Sequence, residues 1–148
     1  MKNLEFTIVD NKYLEVSDFT WFIKRIDAIF VAKSSISNKN EYAILIQYGS
    51  ELVELYYRTQ DELEIVNQFN NLATEIKKAQ SSFNLAGETA LINYENVKQI
   101  EFIHGILNTK IIAKFNDAKL IRKGGNKKQY NKMMRDYKTA QYKTTIDL

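Results

Sequence analysis

Two segments constrain what this chain can fold into: residues 22–31 (FIKRIDAIFV) and 89–102 (TALINYENVKQIEF). Each carries an apolar strand end into a polar turn, then an Ile or Val, two further residues and an Ile. Ile26 and Ile29 in the first correspond to Val97 and Ile100 in the second, an offset of 71. Two more strands and an amphipathic segment follow each copy. Tyr48 then corresponds to Phe115, an offset of 67, and Ile65, Phe69 and Leu72 to Tyr130, Met134 and Tyr137, an offset of 65. The falling offset reflects shorter loops in the second copy. The pattern predicts an α+β fold: an internal duplication of a unit of about four antiparallel strands followed by one helix, with two sheets sharing a core. Repeat 1 covers about 12–80 and repeat 2 about 88–142, within a single domain of residues 1–148.

In chain order, residues 5–10 and 13–16 read as a strand or hairpin, and 19–23 (FTWFI) as a third strand. A turn over 24–28 buries one Ile, and 29–33 is a strand. Residues 34–40 form a polar loop. Residues 42–48 (YAILIQY) and 52–58 (LVELYYR) pair about Gly49 and Ser50, with enough apolar residues to cover much of both faces. A helix over 59–79 begins with a capping box, Thr59 and Glu62. Its dipole is matched by Asp61 and Glu62 at the start and Lys77 and Lys78 at the end. Leu63, Val66, Phe69, Leu72, Ala73 and Ile76 make its apolar stripe. Residues 80–88 (QSSFNLAGE) read as a linker. Strands follow at 89–94, 100–104, 110–115 and 119–123, with a hairpin turn at Asn116 and Asp117. The second helix spans 126–142, with Asn126 at the N-cap and Gln129 three residues on.

Composition excludes several classes. At 45% hydrophobic and 26% charged residues the chain is globular rather than disordered. No apolar run is long enough for a membrane span, and the first ten residues lack a signal-peptide core. The absence of Cys removes disulfide and thiolate chemistry, and points to the cytoplasm. Net charge is +3 but unevenly placed. From Lys110 onward there are 11 Lys and Arg against 3 Asp and Glu, net +8; the remainder has 10 against 15, net −5. Such polarity speaks of partners rather than of fold.

No catalytic constellation is visible. The one histidine, His104, ends a strand shared with Ile100 and Phe102 and has neither a nucleophile nor a ligand set beside it. The acidic residues are scattered without metal-loop spacing. Asp61, Glu62 and Glu64 sit where a helix dipole alone would place them. Gly124-Gly125-Asn126-Lys127-Lys128 lacks the Walker spacing. These observations predict no catalytic residues, no metal, no cofactor and no enzymatic activity.

The basic end is more informative. On a helical wheel from Asn126, residues Tyr130, Met133, Met134, Tyr137 and Ala140 share one side. Lys128, Lys132 and Arg135 lie opposite, flanked by Lys127 and Lys138. Arg122 and Lys123 with two glycines precede the helix, whose free N–H groups favour a phosphate at 125–127. Aromatic residues are 12% of the chain and mostly on strands. Aromatic rings beside cations are the equipment for stacking unpaired bases. Tyr56 and Tyr57 face opposite ways, so one is accessible.

Four strands then a helix, twice over, resembles the topology of the Whirly and PUR-repeat families, which bind single-stranded nucleic acid on twisted sheets. Residues 92–102 (INYENVKQIEF) are similar to the opening strand–turn–strand of bacterial pleckstrin-homology-like domains, mostly interaction or lipid-surface modules. Those have about seven strands before one helix, whereas this chain places a helix after Arg58. The first resemblance implies nucleic acid as partner. Lys114, Lys119, Arg122, Lys123, Lys127, Lys128, Lys132 and Arg135 would then meet phosphates, and Tyr56, Tyr57 and Trp21 would stack bases. The alternative is an adaptor whose basic helix docks an acidic protein or an anionic surface. A homo-oligomer is also compatible, with the acidic half of one copy meeting the basic end of another.

Overall fold

The computed structural model describes residues 4–34, 41–106 and 108–146, without the side chains of Ser34, Tyr56, Tyr57 and residues 142–146. Strands β1 (Thr7–Val9), β2 (Tyr13–Val16) and β3 (Phe19–Phe22) form one antiparallel meander. A 3-10 turn (Ile23–Arg25) leads into β4 (Ile26–Ser34), β5 (Glu41–Tyr48) and β6 (Glu51–Thr59), then helix α1 (Glu62–Ala79). β7 (Phe83–Leu85), β8 (Ala90–Asn93) and a second 3-10 turn (Tyr94–Asn96) follow. β9 (Gln99–His104), β10 (Thr109–Lys114), β11 (Lys119–Lys123) and helix α2 (Lys127–Ile146) complete the chain.

The α+β class holds, but there are three antiparallel sheets rather than two. β9–β11 form one. The largest runs in the order β6-β5-β4-β8-β7. Residues 80–88 are therefore not a linker, because β7 lies within them and pairs with β8, Leu85 opposite Leu91. β8 pairs in turn with β4, Ile29 opposite Leu91 and Ala28 opposite Ile92. A 3-10 turn, three consecutive antiparallel strands and a helix recur in order, preceded by three strands the first time and two the second. The pairing does not: the first meander is widened to five strands by β7 and β8, while β9–β11 stay three. The arrangement thus does not establish a duplication.

The expected shared core is instead two clusters on opposite faces of the five-stranded sheet, as alternation along a strand requires. Ile29 and Leu91 face the first, with Ile23, Ile44, Ile46 and Leu55 and the α1 residues Ile65, Phe69, Leu72 and Ile76. Ala28 and Ile92 face the second, with Tyr94, Val97, Ile100, Ile111, Ala113 and Met133. A central sheet covered on both sides needs apolar residues at both parities, which β4 and β5 supply. Val9 pairs with Tyr13 across a three-residue turn in which Asp10 and Asn11 take φ of 54° and 55° and Lys12 N donates to the Val9 carbonyl at 3.0 Å.

Helix α1 starts two residues later than the capping pattern suggests. Thr59 is still paired in β6, opposite Tyr42, so it cannot cap. Asp61 does: its Oδ1 accepts from Leu63 N at 3.0 Å and Glu64 N at 3.3 Å. Thr59 Oγ1 buttresses the cap by accepting from Asp61 N at 3.1 Å. The buried face also differs from the expected stripe. Leu63 is 70% exposed, while Ile65 and Gln68 turn inward. Gln68 is tolerated there because its Oε1 accepts from Leu4 N at 2.9 Å. Asp61→Ala is expected to destabilise the fold by about 1 kcal/mol, whereas Thr59→Ala is expected to cost less; urea unfolding of the two variants checks the order.

Candidate functional site

Strands β9–β11 present their two faces differently. The inner face carries Ile100, Phe102, Ile111, Ala113 and Leu120, which pack with Tyr130, Met133, Met134 and Tyr137 of α2. The Phe102 and Tyr130 rings sit 5.3 Å apart. The opposite parity points outward: Glu101 and Ile103 on β9, Lys110, Ile112 and Lys114 on β10, and Lys119, Ile121 and Lys123 on β11. No residue of this outer face belongs to either core cluster. Ile103 and Ile121 are 45% and 43% exposed, whereas Ile112, on the central strand between its neighbours, is only 8% exposed though it belongs to neither core cluster.

The register sets like charges against each other. Lys110 lies opposite Lys123, Ile112 opposite Ile121, and Lys114 opposite Lys119. Directly opposed like charges on one face destabilise an antiparallel pair. One carboxylate offsets them: Glu101 Oε1 lies 2.7 Å from Lys114 Nζ. Lys110, Lys119 and Lys123 have no ion-pair partner among the described residues. The outer face therefore sets a row of Glu101, Ile112 and Ile121 between two lysine pairs.

Helix α2 has the N-cap its sequence predicts, as a full capping box. Gln129 N donates to Asn126 Oδ1 at 2.8 Å, and Asn126 N donates to Gln129 Oε1 at 3.0 Å. One donor of the expected phosphate site at 125–127, Asn126 N, is thus already used. The glycines before it answer to packing. Gly124 has φ of 76°, and a Cβ on Gly125 would lie 2.6 Å from Ile111 Cδ1. On the outer side of α2, Lys127, Lys128, Arg135 and Lys138 are exposed. No acidic residue stands in its first turn, so Lys127 and Lys128 sit unfavourably at the positive end of the dipole. In α1 the first turn holds Glu62 and Glu64 and the last Lys77 and Lys78, as the dipole prefers.

The sequence-predicted cations therefore do not form one patch. Lys114, Lys119 and Lys123 lie on the outer sheet face, and Lys127, Lys128 and Arg135 on the far side of the helix. Two are engaged internally. Arg122 faces inward, crosses Gly87 and donates to the Ala86 carbonyl. Lys132 Nζ meets the Leu85 carbonyl at 3.1 Å and Asp136 at 3.0 Å. Trp21 is 7% exposed within the first core, its ring 5.9 Å from that of Phe19, so it offers no face to a base. The Tyr56 and Tyr57 side chains lie outside the described residues. His104 is exposed, its ring nearly parallel to that of Phe102. Lys110, absent from the candidates drawn from sequence, completes a lysine pair; its same-parity spacing from Lys114 was the available signal.

A second feature was invisible in sequence. Asp27 is the extra residue of a β-bulge between Ile26 and Ala28. It is 7% exposed, at the base of a polar cleft of about 250 Å³ that also exposes Lys24, Gly49, Asn96, Lys98 and Asp117. Asn96 Nδ2 donates to Asp27 Oδ1 at 3.1 Å. Burial pushes the Asp27 carboxyl up to about 6; Asp117 adds to the rise, while the Asn96 hydrogen bond and Lys98 oppose it. Burial likewise raises the Tyr94 phenol, whose oxygen has no hydrogen-bond partner among the described residues.

No group of three or more His, Asp or Glu converges as a metal site among the described residues, and no helix there is long and apolar enough to cross a membrane. No family model, curated protein or solved structure matches this chain.

Proposed function

We propose that this protein binds single-stranded nucleic acid without catalysing a reaction, and that the outer face of β9–β11 carries the phosphate backbone. The observation that carries this reading is the pair of cross-strand lysine pairs, Lys110 with Lys123 and Lys114 with Lys119, flanking Ile112 and Ile121. Opposed lysines weaken a sheet, and a polyanion laid along the strands turns that repulsion into attraction. The two pairs stand four residues apart, about 13 Å at the rise of a strand. Between them the exposed Ile121, beside the largely covered Ile112, gives an unpaired base an apolar contact. With no aromatic ring on that face among the described residues, base identity is read weakly and affinity comes from phosphate contacts. The recurring order of 3-10 turn, meander and helix fits descent from a duplicated unit, with the second copy carrying the working face.

Fluorescence anisotropy with a labelled oligothymidylate tests the reading. Wild-type affinity should fall steeply between about 50 and about 200 mM salt. Lys110→Ala with Lys123→Ala should weaken binding and reduce the log–log salt slope by about 1.4, at about 0.7 per phosphate contact in a single strand. The same double variant should unfold at higher temperature than wild type, because a like-charge pair is gone. Absence of binding at the lowest salt, or a double variant that binds as wild type does, overturns the proposal.

A further inference from the structure

We propose that the layer made by β9–β11 and α2 holds two nucleic-acid segments at once, one on the outer sheet face and a second along the outer face of α2, so that the protein bridges strands. The inference rests on the preceding reading of the sheet face and extends it to the helix. Lys128, Arg135 and Lys138 form one stripe over ten residues, about 15 Å of helix, with Lys127 beside its start. All four are exposed, and none has an ion-pair partner among the described residues. The one carboxylate described on this helix, Asp136, is already paired with Lys132.

Placement separates this stripe from the lysine pairs. Met133 and Ala140 are buried against the sheet's inner side, so the stripe points directly away from it. A helix is about 10–12 Å across, and exposed charges are screened beyond about 8 Å at physiological salt. A segment lying on the sheet therefore leaves the helical cations unneutralised. Their charge complement is a second phosphate backbone. Arg122, inside the layer, ties the sheet to residues 86–87 and belongs to neither surface.

The test mixes two non-complementary oligothymidylate-length strands, one carrying a donor dye and one an acceptor, with full-length protein. Sedimentation establishes that the complex holds one protein chain. Wild type should give energy transfer and bind two strands per chain. Lys128→Glu with Arg135→Glu and Lys138→Glu, exposed positions whose helicity circular dichroism verifies, should keep single-strand anisotropy binding and lose transfer. Saturation at one strand per chain without transfer overturns the inference while leaving the sheet reading intact. A helix variant that bridges like wild type also overturns it. A helix variant that loses all binding overturns it too, by placing a single site on α2. Failure of any strand to bind overturns both readings.

Discussion

Asn93→Ala is expected to lower the free energy of unfolding by about 2–3 kcal/mol, as the loss of a fully buried polar linker. Asn93 has 0% exposure at the end of β8. Its Nδ2 donates to the carbonyls of Lys24, at 3.2 Å, and Ile26, at 3.1 Å. Its Oδ1 accepts from Ser82 Oγ at 2.6 Å and from Glu95 N at 3.3 Å. One amide thus ties the first 3-10 turn and β4 to β7 and the second 3-10 turn. Truncation leaves the half-buried Ser82 hydroxyl and a turn N–H without their acceptor. Asn96 Nδ2 also donates to Lys24 O, at 2.8 Å, and holds part of the link. Asn96→Ala alone should therefore cost less, and the double variant more than the two together. Urea unfolding of the three variants checks this; an Asn93→Ala variant as stable as wild type would show that the two halves are not held through this amide.

Asp27→Asn is expected to stabilise the protein, and only above a particular pH. The folded carboxyl titrates at about 6, raised from 3.8 by burial. The folded state thus holds a proton between those values that the unfolded state has released. Stability contributed by this group is greatest below the unfolded value and falls as pH rises through the folded one, reaching its minimum where Asp27 is ionised in both states. Asparagine cannot ionise and still accepts from Asn96 through its amide oxygen. The gain should be absent near pH 4 and should level off above pH 7 at about 1–2 kcal/mol, after allowance for solvent screening in the open cleft. Thermal unfolding across that range checks the sign; a gain that is largest at low pH would contradict it. Lys24, Lys98 and Asp117 line the same cleft, so Lys98→Ala should push the Asp27 carboxyl higher still.

Local patterns were legible where the chain answers to its immediate neighbours. Alternation marks β5, the Asn126 and Gln129 capping box forms as their spacing predicts, and the inward face of α2 includes Met133 and Ala140 as its periodicity predicts. Trp21 shows the limit. An aromatic residue on a strand can face solvent or core, and only the partner sheet decides which. Thr59 shows another: a threonine three residues before a glutamate is a cap only if the preceding strand has already ended. β7 was missed because three residues, Phe83–Leu85, carry too little alternation to stand out from a polar stretch.

By itself the sequence determined the antiparallel α+β class, the lengths of both helices to within a few residues, and the gathering of positive charge after Lys110. These follow from hydrophobic period, capping chemistry and composition, which act over a few residues. Only the tertiary structure decided how the charge is divided. Strand register set lysine against lysine across β10 and β11, and the packing of α2 sent its own cations to the other side of the layer. It also brought Asp27 to the base of a cleft beside Asn96, Lys98 and Asp117, residues about 70 to 90 positions away in the chain. Register and long-range pairing depend on partners remote in sequence, so no local pattern encodes them.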